Sequence, residues 1–335
     1  MTPKHEKQVL VTGGAGYIGS HVCKALSAAG YLPTVYDDLS TGFASAVRWG
    51  ELVEANLADR ARLLSALRES GAATVVHLAA SAYVGESMRD PGKYFRNNVA
   101  NTLSLLETMA ASGVRRIIFS SSCAVYGVPT EIPVSERAAR VPVSPYGESK
   151  LMCERLIRWF GEAHGIDWVA LRYFNAGGAD ESGTIGEWHD PEPHLIPNVL
   201  RAAIGGQAFR MYGADYATPD GSAVRDFVHV ADLADAHIRA VRYLECGGAS
   251  VALNLGTGTG VSVKEVVLAA ERVTGSRITV EHCPRRKGDP PTLLASAALA
   301  RRVIGWCPLR PDIETIVRDA WGSMSRSLDR ECPLP

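Results

Sequence analysis

Short apolar runs alternate with longer amphipathic ones through the first half of the chain. Runs over 8–11, 32–36, 52–54, 74–78, 116–119 and 168–173 read as strands, and patterns with helical spacing over 17–29, 58–69, 91–112 and 146–164 lie between or after them. The alternation predicts a parallel, doubly wound α/β sheet, because parallel neighbours need a crossover long enough to carry a helix. After Asn175 the rhythm breaks into a Gly-, Pro- and His-rich stretch, 177–197, which reads as a loop leaving the sheet. Beyond it the pattern is mixed, with strands expected at 224–230 and 251–255 and helices at 232–244, 263–273 and 312–324. The expected layout is a sheet domain over 1–175 and a smaller mixed α/β lobe over 176–335, with segments near 225–258 returning to the first domain. No internal repeat or low-complexity tract interrupts it.

Composition fits this size of core. A chain of 335 residues with 46% hydrophobic content exceeds a usual single domain. A net charge of −1 provides no global field to recruit nucleic acid or an anionic membrane, so any anion must be bound locally. The opening Met-Thr-Pro-Lys-His-Glu-Lys is polar, and no stretch of about 18 uncharged apolar residues follows; a cytoplasmic protein is expected. Seven scattered cysteines, odd in number and without CxxC pairing, read as inert thiols rather than disulfides or zinc ligands.

The chemistry concentrates in a few motifs. Val11-Thr-Gly13-Gly-Ala-Gly16-Tyr17-Ile18-Gly19 lies between a strand and a helix and reads as GxGxxG from Gly14 and as GxxGxxG from Gly13. Such a loop lets a pyrophosphate approach the backbone and meet a helix N-terminus. Asp37 follows Gly19 by 18 residues at the end of the second strand, where a carboxylate accepts adenosine ribose hydroxyls and repels a 2'-phosphate, favouring NAD over NADP. Asp38 is a second candidate, and a turn or capping aspartate is the alternative for both. Tyr146 and Lys150, in Ser144-Pro-Tyr-Gly-Glu-Ser-Lys150, stand one helical turn apart. A phenol titrates near about 10, and lowering it by about three units takes roughly 4 kcal/mol, within reach of Lys150 plus an oxidised nicotinamide. The spacing alone also fits a surface helix. Ser122 closes the run Ser120-Ser-Ser122 at a strand's carboxyl edge, placed to bond a substrate hydroxyl or merely to form a turn. Arg225 and Arg286 offer guanidinium forks for a diphosphate, although a solvated basic face also accounts for 285–287. Nothing of HxH or HExxH type surrounds His194, which argues against a metal role.

With these residues in view, the chain resembles the extended short-chain dehydrogenase/reductase family, and within it the nucleotide-sugar 4-epimerases. The resemblance spans nearly the whole length through the glycine loop, Val84-Gly-Glu-Ser87, Asn97-Asn-Val99, Phe119-Ser-Ser-Ser122, Val125-Tyr-Gly127, Ser144-Pro-Tyr-Gly147, Leu171-Arg-Tyr-Phe-Asn175, Val224-Arg-Asp226 and Pro284-Arg-Arg-Lys-Gly-Asp289. It implies a Rossmann-type fold and a tightly held NAD. It also implies reversible inversion at C4 of a UDP-hexose, UDP-galactose to UDP-glucose, through a 4-keto sugar. Tyr146 would exchange the O4 proton, Ser122 would steady O4, and Lys150 would bind nicotinamide ribose. The implied cofactor contacts are Gly13, Gly16, Tyr17, Ile18, Gly19, Asp37, Asp38, Leu39, Asn56, Leu57, Leu78, Ala79, Ala80, Asn97, Lys150 and Tyr173. The implied substrate contacts are Ser122, Tyr146, Asn175, His194, Leu195, Tyr212, Arg225, Arg286 and Asp289. A homodimer through helices 91–112 and 146–164 is implied as well, with Leu151, Leu156, Ile157 and Phe160 suited to such a face.

Three positions depart from the family pattern. Asn56 stands where an aspartate commonly holds the adenine amine, Ala82 replaces a lysine near the cofactor phosphates, and His194 replaces a frequent asparagine. Bulky Leu293 occupies the position that tunes pocket size, which predicts plain hexoses over N-acetylhexosamines. UDP-pentoses remain open. A 4,6-dehydratase would need carboxylates where Cys123-Ala124 stands, and a non-catalytic NAD-binding protein would have no use for Ser122, Tyr146 and Lys150 together.

Overall fold

The computed structural model describes residues 7–205, 207–286 and 288–329. Lys287, Cys332 and the first six residues of the polar opening lie outside the described residues. Thirteen strands are described: β1 (Gln8–Thr12), β2 (Leu32–Asp37), β3 (Glu51–Glu54), β4 (Thr74–His77), β5 (Arg116–Ser122), β6 (Asp167–Tyr173), β7 (Asn175–Gly177), β8 (Phe209–Tyr212), β9 (Val224–His229), β10 (Val251–Leu255), β11 (Gly260–Ser262), β12 (Val280–Cys283) and β13 (Thr292–Leu293). Seven form an all-parallel sheet in the order β10-β6-β5-β4-β1-β2-β3. Val9 and Val11 of β1 pack with Val22, Leu26 and Leu233 on one face, and Leu10 packs with Leu63, Leu67 and Leu105 on the other. Both faces are buried by helices, so these strands appear in the sequence as continuous apolar runs.

The chain leaves β1 for β2 on one side and later returns to β4 on the other, which opens a crevice at the carboxyl ends of the strands. β10 joins this sheet beside β6, while β9 pairs with β7, β11 and β13 in a second sheet. β8 and β12 form a two-stranded parallel ribbon that the apolar pattern did not predict.

Three local features differ from the sequence expectation. The serine run 120–122 is strand rather than turn, since Ser120, Ser121 and Ser122 pair with Leu171, Arg172 and Tyr173. The segment 91–112 is not one α-helix but Pro91–Tyr94, a π-helical stretch Phe95–Ala100, and Asn101–Ser112. Within that stretch Asn98 accepts from Ser81 N at 2.8 Å and donates to Ser81 O and Ser149 Oγ, tying the wide turn to the cavity wall. The supposed loop 177–197 ends in a helix, Leu195–Ile204. Pro197 falls in its first turn, where the missing N–H has no helical partner to lose.

Beneath the ends of β5 and β6, the Arg172 guanidinium donates to both Glu154 oxygens at 2.8 and 2.6 Å and to Tyr126 OH at 2.9 Å. Of the residues expected to face a second chain, Leu151 and Ile157 are buried within this one and Leu156 and Phe160 are partly buried against its core, while the neighbouring Trp159 is exposed. The six described cysteines are free, and no helix among the described residues is long and apolar enough to cross a membrane.

Candidate active site

A cavity of about 1810 Å³ runs along the carboxyl ends of the central strands and beneath the second sheet. That is nearly twice the upper range for a single small-ligand pocket, about 1,000 Å³. It holds every site residue named from the sequence except Leu39. Leu39 lies in a left-handed turn (φ 56) directed by Asp37, whose Oδ1 accepts its N–H at 3.0 Å.

At the cofactor end, β1 runs into Gly13, whose φ of 75 favours glycine and where a Cβ would come within 2.5 Å of Ala79 N. The helix Tyr17–Ala28 begins next, with Gly16 as its uncapped first position, so its leading N–H groups face the cavity without a side chain across them. Asp37 binds Ala15 N through Oδ2 at 2.9 Å, and burial raises its pKa against the pull of the Ala15 and Leu39 amides. Asn56 donates to Asp38 Oδ2 at 2.5 Å and accepts from Ala58 N at 2.9 Å, so its carbonyl is already engaged. Ala82 lines the cavity without charge, and Lys93 nearby is paired with Glu86 at 2.7 Å. At this end of the cavity the helix N-terminus is suited to meet an anion.

At the centre, Ser144 caps the helix Pro145–His164 by accepting from Gly147 N at 3.1 Å, with Pro145 in the first turn. A Cβ on Gly147 would lie 2.5 Å from Ala124 O, so glycine lets this helix close on the 123–126 turn and brings Tyr146 against Ser122. Burial pushes the Tyr146 phenol up to about 12, countered in part by the neighbouring Ser122 hydroxyl. Lys150 lies one helical turn on from it. Its Nζ donates to Ser120 O at 2.8 Å and stands 5.9 Å from the Tyr146 ring centroid. Burial brings Lys150 itself down to about 8.

This predicts a stability trade. Lys150→Met should stabilise the cofactor-free protein by about 1–3 kcal/mol at pH 7, since it removes a buried ammonium. The folded pKa lies below the unfolded one, so between pH 8 and 10.5 the unfolded chain binds more protons. Wild-type stability should climb through that window and the gap should narrow. Urea unfolding at both pH values checks it, and a variant no more stable than wild type at pH 7 would contradict it.

At the far end, Asp226 is fully buried and accepts from Thr257 N, Thr257 Oγ1, Gly258 N and Ala295 N at 2.7–3.0 Å. It fixes β9 so that the neighbouring Arg225 reaches the cavity, where it pairs with Asp289 at 2.5 Å. Arg286 stacks on Tyr212, 4.1 Å from the ring centroid. Arg285 is bound to Asp215 at 2.7 Å rather than simply solvated. His194 Nδ1 lies 2.6 Å from Glu187 and 3.3 Å from Glu192. Burial would lower its pKa, but those carboxylates raise it to about 10. Glu187, His189 and Glu192 also line the cavity and were missed in the sequence reading. Their signal was the spacing Glu-x-His-x-x-Glu-x-His across 187–194.

Residues 9–256 match the model of the NAD dependent epimerase/dehydratase family. The chain belongs to that family. It is 49% identical over 320 residues to a UDP-glucose 4-epimerase of Rhizobium leguminosarum bv. trifolii, covering 95% of this chain and 98% of the relative. The crystal structure of UDP-glucose 4-epimerase from Brucella ovis in complex with NAD superposes with a TM-score of 0.92 at 50% identity, covering 93% of this chain and 97% of that one. A Stenotrophomonas maltophila UDP-glucose-4-epimerase with bound NAD and formylated UDP-arabinopyranose gives 0.93 at 39% identity, covering 97% and 99%. NAD is the cofactor of this epimerase-family chain. The uncapped helix, the Gly13 turn that a Cβ would block and the carboxylate ending β2 suit a pyrophosphate and a ribose diol.

Proposed function

We propose that the chain interconverts UDP-galactose and UDP-glucose by NAD-dependent epimerisation at C4 through a 4-keto sugar. The observation that carries this reading is the convergence of Ser122, Tyr146 and Lys150 at the end of β5, between the glycine loop and an arginine-bearing lobe, in one cavity. Bound NAD would supply a reversible hydride acceptor for C4, and return of the hydride to the opposite face of the 4-keto sugar would leave that carbon inverted. Tyr146 takes the O4 proton and returns it, and Ser122 holds that oxygen in line. A phenol near 12 must fall by several units to act as base at neutral pH, and a cation placed beside it by ligand binding is the available cause. Lys150 holds the nicotinamide ribose and contributes charge.

Gly13, Gly16, Tyr17, Ile18, Gly19, Asp37, Asp38, Asn56, Leu57, Leu78, Ala79, Ala80, Asn97 and Tyr173 form the cofactor side, with segments 1–175 and 225–258 as its domain. Asn175, His194, Leu195, Tyr212, Arg225, Arg286 and Asp289 form the nucleotide-sugar side within 176–335. Cys123 stands where a dehydratase needs a carboxylate, and burial lifts its thiol to about 12, out of acid/base range. We assign the protein to the cytoplasm as a homodimer, with Phe95, Leu103 and Trp159 exposed within the two segments such a contact would use; sedimentation at the monomer mass would contradict the dimer.

Leu293 lines the cavity and is itself buried in a cluster with Val125, Phe174 and Ala295, so it has little room to move aside. UDP-N-acetylglucosamine should turn over at least about tenfold more slowly than UDP-glucose. A substrate panel that includes UDP-arabinopyranose checks the reading. Comparable rates for UDP-N-acetylglucosamine would overturn the hexose assignment, and faster turnover of the pentose would move it to that class.

A further inference from the structure

We propose that Glu187, His189, Glu192 and His194 bind one divalent transition-metal ion, zinc by preference, which braces the segment 187–194 internally ahead of the helix Leu195–Ile204. One ligand atom from each residue lies within 4.8 Å of all the others. The measured separations are 2.6 and 3.3 Å from His194 Nδ1 to Glu187 and Glu192, and 3.5 Å from His189 Nδ1 to each carboxylate. A tetrahedral shell with bonds of about 2.0–2.1 Å has edges of about 3.3–3.4 Å, so three of these separations already match such an edge and the His194–Glu187 contact would open by less than about 1 Å on binding.

The hydrogen bonding points the same way. Both Nδ1 atoms and Glu192 Oε2 are buried without a hydrogen-bond partner, despite the polar atoms around them. The Glu192 side chain is 1% exposed and that of Glu187 is 7% exposed. Arg201 comes no nearer to Glu192 Oε2 than 4.0 Å. Two carboxylates this deep require positive charge. A proton on His194 supplies one unit, whereas a divalent ion supplies both and takes up the two orphaned Nδ1 atoms together.

Donor chemistry sets the preference. Two imidazoles and two carboxylates favour zinc, cobalt or nickel over calcium and magnesium, which take oxygen ligands. Four protein ligands close a tetrahedral shell, and the ring of Tyr83 stands edge-on to both imidazoles at 5.5 and 6.1 Å. The site is therefore structural rather than catalytic. His194 starts the helix without using its side chain as a cap, so its ring is turned to the two carboxylates instead.

The test uses untagged full-length protein, dialysed against chelator and then titrated with Co²⁺ followed by Zn²⁺. One equivalent of cobalt per chain should bind with the visible absorption of a tetrahedral site, and zinc should displace it. His189→Gln and Glu192→Gln, which keep side-chain volume close, should each weaken binding at least about 100-fold. Their bound NAD shows that the fold survives. No saturable binding of either metal by the wild-type protein would overturn the site, and so would variants that bind as tightly as wild type.

Discussion

Tyr146→Phe should lower the rate of UDP-galactose conversion by at least about 10²-fold while leaving bound NAD in place. The substitution removes one oxygen and keeps the ring that stands edge-on to Tyr94 at 6.3 Å, so packing is preserved. What disappears is the phenolic hydroxyl that lines the cavity beside Ser122. Ser122 cannot substitute, because an alkyl hydroxyl is a far weaker acid than a phenol. Lys150 cannot either, since its Nζ is directed to Ser120 O. Steady-state rates with NAD content measured on the same preparations check this. Activity within threefold of wild type would remove Tyr146 from the chemistry.

Glu154→Ala should destabilise the protein by about 3–5 kcal/mol without touching a cavity residue. Arg172 is 2% exposed, and Glu154 accepts two of its N–H groups as well as the Ser121 hydroxyl at 2.6 Å. Removing the carboxylate leaves a guanidinium buried between β6 and the helix Pro145–His164, with Tyr126 OH as its remaining close partner. Replacing both members with apolar residues, Glu154→Leu with Arg172→Met, should recover much of the loss, since neither buried charge is then left alone. Urea midpoints of the two single variants and the double variant measure the coupling. A loss below about 1 kcal/mol for Glu154→Ala would show that the pair is dispensable.

The sheet was readable because its strands are buried on both faces. Val9, Leu10 and Val11 serve opposite cores yet are all apolar, which distinguishes a central parallel strand from a half-exposed one. The glycine loop and the Tyr146 to Lys150 spacing were readable for a similar reason, since each depends on local backbone geometry. Features made by tertiary pairing were harder to see. The four-residue strands β8 and β12 carry too little periodicity to register alone, and Pro197 disguised a helix that accepts it in the first turn. Ionisation was the least readable property. Spacing put Lys150 beside Tyr146, but burial is the largest influence on where each group titrates. The 187–194 cluster joins side chains whose individual motifs mean little until the chain folds.

The central claim is a C4 inversion that begins and ends with the same bound NAD. Its most direct measurement supplies purified protein with UDP-galactose and no added cofactor, follows the sugar nucleotides to a constant ratio, and then assays NAD released on denaturation. UDP-glucose should form, the same ratio should be reached starting from UDP-glucose, and NAD should be recovered from the protein. Absence of conversion together with absence of released NAD would contradict the account.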